Sequence, residues 1–126
     1  QYVSLAGDAA EGVRLPAAAL LVADTLPDAD PQKKVVLAYK KEYESRFKSE
    51  VSTFGGHAYD AFLILLKGIE KAKSTDKEAV RTAIENLKGV VGTAGIFNLS
   101  PPDHNGLGLG DLEMLTVKKG KFVIYK

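Results

Sequence analysis

Between Pro31 and Lys48 the apolar side chains Val36, Tyr39, Tyr43 and Phe47 recur at steps of three and four. Lys33, Lys40, Lys41, Glu42 and Glu44 fall mainly on the other side. That spacing draws one apolar stripe and predicts a helix over about Pro31 to Lys48 with a solvated outer face. Asp30 can cap it, and Pro31 suits the first helical position because its missing N–H costs nothing there. A second helix is predicted from about His57 to Lys73, opened by Gly55-Gly56. From Ala58 to Leu66 its one charge is Asp60. Apolar side chains there point in every direction, so the helix must be covered on several sides. Ser74-Thr75 restarts the chain, and Thr75 with Glu78 has capping-box spacing. Val80, Ala83, Ile84 and Leu87 give a third helix its core face, which Gly89 can end.

Outside the helices the pattern shortens. Ser4 to Gly12 is rich in small residues and reads as the tail of a helix or a loop, with a strand following near Val13 to Leu15. Pro16 to Val22 is apolar but ambiguous by periodicity. Leu26 to Pro31 reads as a turn. Gly95 to Leu99 reads as a strand, and Ser100 to Gly106 as a loop with turn chemistry. Asp111 to Val117 and Lys121 to Tyr125 flank Lys118-Lys119-Gly120, a hairpin signal. Val36, Tyr39, Tyr43, Phe62, Leu66, Val80, Ile84 and Leu87 are the expected core. Three helices and about four strands, with no clear strand–helix–strand unit, leave the all-apolar helix without cover. The chain reads as incomplete, and in isolation it is expected to self-associate through that helix and open strand edges.

Composition narrows the function. The 126 residues suit one domain, and 45% hydrophobic against 26% charged argues against disorder. A net charge of +1 gives nucleic acid or anionic lipid no purchase. Without cysteine, disulfides and thiolate metal sites are excluded. The longest apolar run, Ala61 to Leu66, falls far short of the roughly 20 residues that cross a bilayer. Gln1 to Ser4 lack the basic start and apolar stretch of a signal peptide, which is expected upstream if the protein is exported.

Catalytic chemistry finds little support. The histidines are His57 and His104, and no Gly-x-Ser-x-Gly elbow accompanies them. His57 starts a helix, where capping or packing explains it. His104 lies in a polar turn and reads as solvated. Asp103 with His104 could touch a metal, but two ligands in a loop do not make a site. Gly89 to Gly95 and Gly106 to Gly110 lack the Lys-Ser/Thr and the following helix of a phosphate cradle, and read as turns. No catalytic residue, metal site or cofactor is expected. Phe54, in Ser-Thr-Phe-Gly-Gly just before the second helix, is the exception. Its ring beside glycines either contacts a small ligand or simply packs in the loop.

Several segments resemble leucine/isoleucine/valine-type periplasmic solute-binding proteins, in their C-terminal third. They are Ala6 to Gly12, Leu26 to Pro31, Thr53 to Ala61, the Gly92-Thr93-Ala94-Gly95-Ile96-Phe97-Asn98 strand approach and the closing Phe122-Val123-Ile124. The resemblance covers essentially the whole chain. It implies an α/β architecture: part of a type I periplasmic binding protein fold, with three main helices, a few strands and a C-terminal hairpin. Residues 1–22 would end the second lobe and cross the hinge, 23–110 would be the C-terminal part of the first lobe, and 111–126 would return towards the second. The implied function is extracytoplasmic, non-enzymatic capture of a branched-chain amino acid or similar small carboxylate, aromatic ones included, by lobe closure. Its partner would be an ABC permease in the inner membrane. Of the family's cleft positions only Phe54 is matched. The extra residues around Pro16 to Leu21 leave the hinge register open. A sensory receptor domain of the same fold, or a small stand-alone α/β enzyme, are the alternatives.

Overall fold

The computed structural model describes residues 2–126. A short helix α1 (Tyr2–Ala6) runs into a 3-10 turn, Gly7–Ala10, and then strand β1 (Arg14–Ala18). A 3-10 segment, Ala19–Thr25, leads to helices α2 (Lys33–Phe47), α3 (Thr53–Ala72) and α4 (Lys77–Glu85). Two short strands follow, β2 (Val90–Val91) and β3 (Ile96–Phe97), and then β4 (Leu112–Lys118) and β5 (Lys121–Ile124).

β1, β4 and β5 form one antiparallel sheet in the order β1-β4-β5, with Leu15 opposite Leu115, Leu115 opposite Ile124 and Val117 opposite Phe122. Because side chains alternate along a strand, this register places Leu15, Leu115, Val117, Phe122 and Ile124 on one face. Four of them, Leu15, Leu115, Phe122 and Ile124, pack with Leu20, Val22 and Val36 in one core cluster. Val36, Leu115 and Val117 are wholly enclosed, which stabilises by roughly 1.5–3 kcal/mol each. The β4–β5 turn is a tight one, with Lys119 and Gly120 both at positive φ. The Glu11 carboxylate accepts the backbone N–H groups of both, at 3.0 and 2.7 Å.

A second cluster joins Ala18, Leu87, Val90, Ala94, Phe97 and Leu99, with Leu63, Ile64 and Ile84 packed against it. α3 and α4 approach closely here because Gly68 has no side chain: a Cβ there would stand 2.4 Å from Ile84.

Several expectations need correction. α2 begins at Lys33, and the Asp30 carboxylate caps from outside, accepting the Gln32 N–H at 2.8 Å. α3 begins at Thr53 with Ser52 as its cap, so Gly55 and Gly56 lie inside its first turns. α4 is capped by Asp76, whose carboxylate accepts the Ala79 N–H, and not by Thr75. It ends at Glu85 with Asn86 as its C-cap, before Gly89. The strand expected over Gly95 to Leu99 contracts to Ile96–Phe97, because Asp111 and Gly106 take the N–H groups of Ile96 and Asn98.

The largest difference concerns the core. Val36, Val80 and Leu87 are buried, and Tyr39, Tyr43 and Ile84 half-buried, but Phe62 is 62% and Leu66 44% exposed. Phe47, at the end of the α2 stripe, is also exposed. α3 turns Gly56, Asp60 and Gly68 inward, and among the described residues none covers Phe62, Leu65 and Leu66 on the opposite face.

Candidate functional site

The first turns of α3 bring together the features on which a binding site can be built. Ser52 Oγ accepts the Gly55 N–H at 3.3 Å and fixes the start of the helix. The missing side chains of Gly55 and Gly56 then let neighbours close in. A Cβ on Gly55 would meet the Tyr39 hydroxyl at 2.7 Å; one on Gly56 would meet Thr93 Oγ1 at 2.6 Å and Leu20 at 2.7 Å. Phe54, between the cap and these glycines, projects outward and is 86% exposed. The structure therefore places it in the first turn of a capped helix and not in a loop, with its ring largely exposed.

Beside it runs a chain of aromatic rings. Tyr59 stands 5.1 Å from Tyr39, Tyr39 5.9 Å from Tyr43, and Tyr43 4.8 Å from Phe47, all tilted. Such geometry suits the ring quadrupoles. Burial raises the Tyr39 phenol above its ordinary value of 10.0, and negative charge at Tyr43 and Asp60 adds to that. Tyr39 stays a neutral hydroxyl at ordinary pH.

Beneath the site lies a polar assembly that the apolar pattern concealed. Asp60, 2% exposed, accepts the N–H of Thr93 at 2.7 Å and of Ala94 at 2.8 Å, and the Thr93 hydroxyl at 3.0 Å. A buried carboxylate is tolerable when donors surround it in this way. Gly92 must be glycine, because a Cβ would lie 2.7 Å from both Asp60 Oδ1 and the Phe97 ring. The Gln32 amide also donates to Gly92 O, at 3.1 Å. The signal that could have revealed this was Asp60 itself, one carboxylate in an otherwise apolar run.

The remaining sequence candidates do not converge on this place. His57 stands exposed on α3. His104 is not simply solvated: its Nε2 lies 3.2 Å from Glu85 Oε1, which also accepts from Arg81 at 3.0 Å. Asp103 accepts the N–H groups of Asn105 and Gly106 within its own turn. Among the described residues no group of three or more His, Asp or Glu side chains could hold a metal, and no helix is long and apolar enough to cross a membrane. Open depressions lined by Lys67, Lys71 and Lys88, and by Glu78, Thr82 and Asn86, lie towards the far end of α3 from Phe54. The Lys71 and Lys88 ammonium groups there already donate to the Asn86 and Leu99 carbonyls.

Comparison with known proteins gives this arrangement a context. The profile of the family described as periplasmic binding protein matches residues 1–121. An extracellular ligand-binding receptor from Rhodopseudomonas palustris superposes with a TM-score of 0.89 at 33% identity, over 99% of this chain and 37% of its own. A protein assigned as a branched-chain amino acid ABC transporter from Rhodospirillum rubrum gives 0.73 at 28% identity, over 98% of this chain and 33% of its own. A leucine-binding protein from Thermotoga maritima, at 24% identity and TM-score 0.70, shares the fold over 98% of this chain and 33% of its own. The chain thus spans about a third of the length of these relatives. No curated protein matches it.

Proposed function

From the premise that this chain belongs to the periplasmic binding protein family, we propose that it is the C-terminal part of a two-lobed solute receptor serving an ABC importer. The receptor works in the periplasm, without catalysis. It closes its lobes on a branched-chain amino acid or a similar small carboxylate, aromatic ones included, and passes the ligand to a permease in the inner membrane. Residues 1–22 finish the second lobe and cross the hinge, 23–110 complete the first lobe, and 111–126 return. The pairing of Ala18 with Leu112 supports this course, because it sets both crossings side by side.

The observation that carries the reading is Phe54. A large ring, almost fully exposed, stands on a capped helix start whose neighbours lock it in place. Closure of the second lobe would enclose that ring against the ligand, so that binding energy draws the protein into its closed state.

The test is calorimetric titration of the full-length protein with L-leucine, L-valine, L-phenylalanine and benzoate. Micromolar or tighter binding of at least one is expected. Phe54→Ala should weaken it about 10- to 100-fold, the value of a buried aromatic contact, with little change in thermal stability. Full affinity in Phe54→Ala would remove Phe54 from the site. Binding of none of the four would refute the ligand class.

A further inference from the structure

Three elements far apart in sequence meet on one five-residue turn. From α3, Asp60 holds the N–H groups of Thr93 and Ala94. From the start of α2, Gln32 donates to Gly92 O. From the residue immediately before β4, Asp111 accepts the Ile96 N–H at 2.9 Å, and its second oxygen accepts the Gly108 N–H at 2.7 Å. The turn closes on itself through Gly92 N–H to Gly95 O, at 2.9 Å.

It has no room to adjust. Gly92 to Gly95 are all buried. A Cβ on Gly92 would strike Asp60, and one on Gly95 would strike Asp111 and Leu107, each at 2.6–2.7 Å. Hydrogen bonds to a carboxylate are about twice as strong as neutral ones, and stronger still away from water. β4 therefore cannot change its direction relative to α3 without breaking charged hydrogen bonds or carrying the turn with it.

We infer that the Gly92–Ile96 turn is a rigid coupling between α3, which bears Phe54, and the strand β4, with Asp111 as the positioning residue. Asp111 fixes the direction in which β4 leaves the helical body. Resting on the two-lobed reading, this makes it the group that sets how easily the second lobe swings over Phe54. A mere local cap of the 108–111 turn would leave the Asp60 end of the coupling undisturbed, and this difference can be measured.

The experiment is amide hydrogen exchange, followed by NMR, on the full-length protein and its Asp111→Asn variant without ligand. Coupling predicts that exchange accelerates about tenfold or more at Thr93 and Ala94 as well as at Ile96 and Gly108. Thr93 and Ala94 do not bond to Asp111, so a local loss cannot reach them. Val36 in α2 should keep its parental rate, showing that the fold persists. Acceleration confined to Ile96 and Gly108 would overturn the coupling, as would unchanged exchange at all four. If Asp111→Asn fails to fold, Asp111→Glu, which keeps the charge but misplaces it, should show the same pattern in weaker form, and the same two contrary results would overturn the proposal. Because no ligand is used, a failure of the solute-receptor reading appears separately, in the calorimetric titration.

Discussion

The two faces of α3 differ in how far they are covered. The inward face buries Gly56, Asp60 and Gly68, two residues without side chains and a carboxylate, with Leu63 and Ile64 packed beside them against the second cluster. The outward face carries Phe54, Phe62, Leu65 and Leu66, all exposed. Gly56 and Gly68 leave room for the side chains of Thr93, Leu20 and Ile84, and Asp60 binds the backbone of the 92–96 turn. The large apolar residues on the other side have no such neighbours. Contiguous exposed apolar surface of this kind marks an interface, and relatives nearly three times as long supply chain enough to cover it. One face is finished within these residues; the other we read as a seam to the rest of the protein.

The largest effect should come from breaking the finished face. Asp60→Ala strands the N–H groups of Thr93 and Ala94 and the Thr93 hydroxyl in a buried site. At about 1–3 kcal/mol per unsatisfied group, partly relieved by relaxation, the loss should be about 3–5 kcal/mol. Denaturant unfolding measures it. A loss under about 1 kcal/mol would mean that water replaces the carboxylate and that the turn is not tightly held.

Phe62→Ala sharpens the contrast, because its effect should depend on context. In the isolated 126-residue chain the ring is largely exposed, so the substitution should cost less than about 0.5 kcal/mol and reduce self-association in sedimentation. In the full-length protein, with the seam covered, it should cost about 3–5 kcal/mol. Equal costs in both would erase the distinction between the faces.

The difference between the faces also explains what was readable in the sequence. Periodicity located α2, α3, α4 and the β4–β5 hairpin, because each depends on local pattern and turn chemistry. It also marked the apolar helix as lacking cover. It misplaced Phe62 and Leu66, because periodicity identifies apolar faces and not which face has a partner in the same chain. Thr75 with Glu78 has capping-box spacing, yet Asp76 carries the cap, its carboxylate accepting the Ala79 N–H. The Asp60–Thr93 and Asp111–Ile96 bonds span 33 and 15 residues, and no local pattern reports such contacts. Phe54 was legible as an aromatic that no stripe claimed.

A smaller effect concerns pH. In the folded chain Lys40 titrates above its ordinary 10.5, chiefly because its ammonium is hydrogen-bonded to the Asp24 carboxylate. Tyr39 titrates above 10.0, chiefly through burial. Both folded values are raised, so their stabilising contribution is complete below the unfolded values and lost as pH rises through the folded ones. The unfolding midpoint should therefore fall above about pH 10. The pair is partly exposed and contributes no more than about 1 kcal/mol. Tyr39→Phe together with Lys40→Met should flatten the decline; an unchanged slope would assign it to other groups.

The seam can be read most directly from the reactivity of a thiol. These 126 residues hold no cysteine, so within them Leu65→Cys places one reporter in the middle of the outward face of α3. Its reaction with a disulfide reagent should be followed at sub-micromolar concentration, in the isolated chain and in the full-length protein. A rate near that of a free thiol is expected in the isolated chain and one at least about 100-fold slower in the full-length protein, where reaction requires local opening. Equal rates in the two would show that the rest of the protein does not cover this face, and would contradict the account.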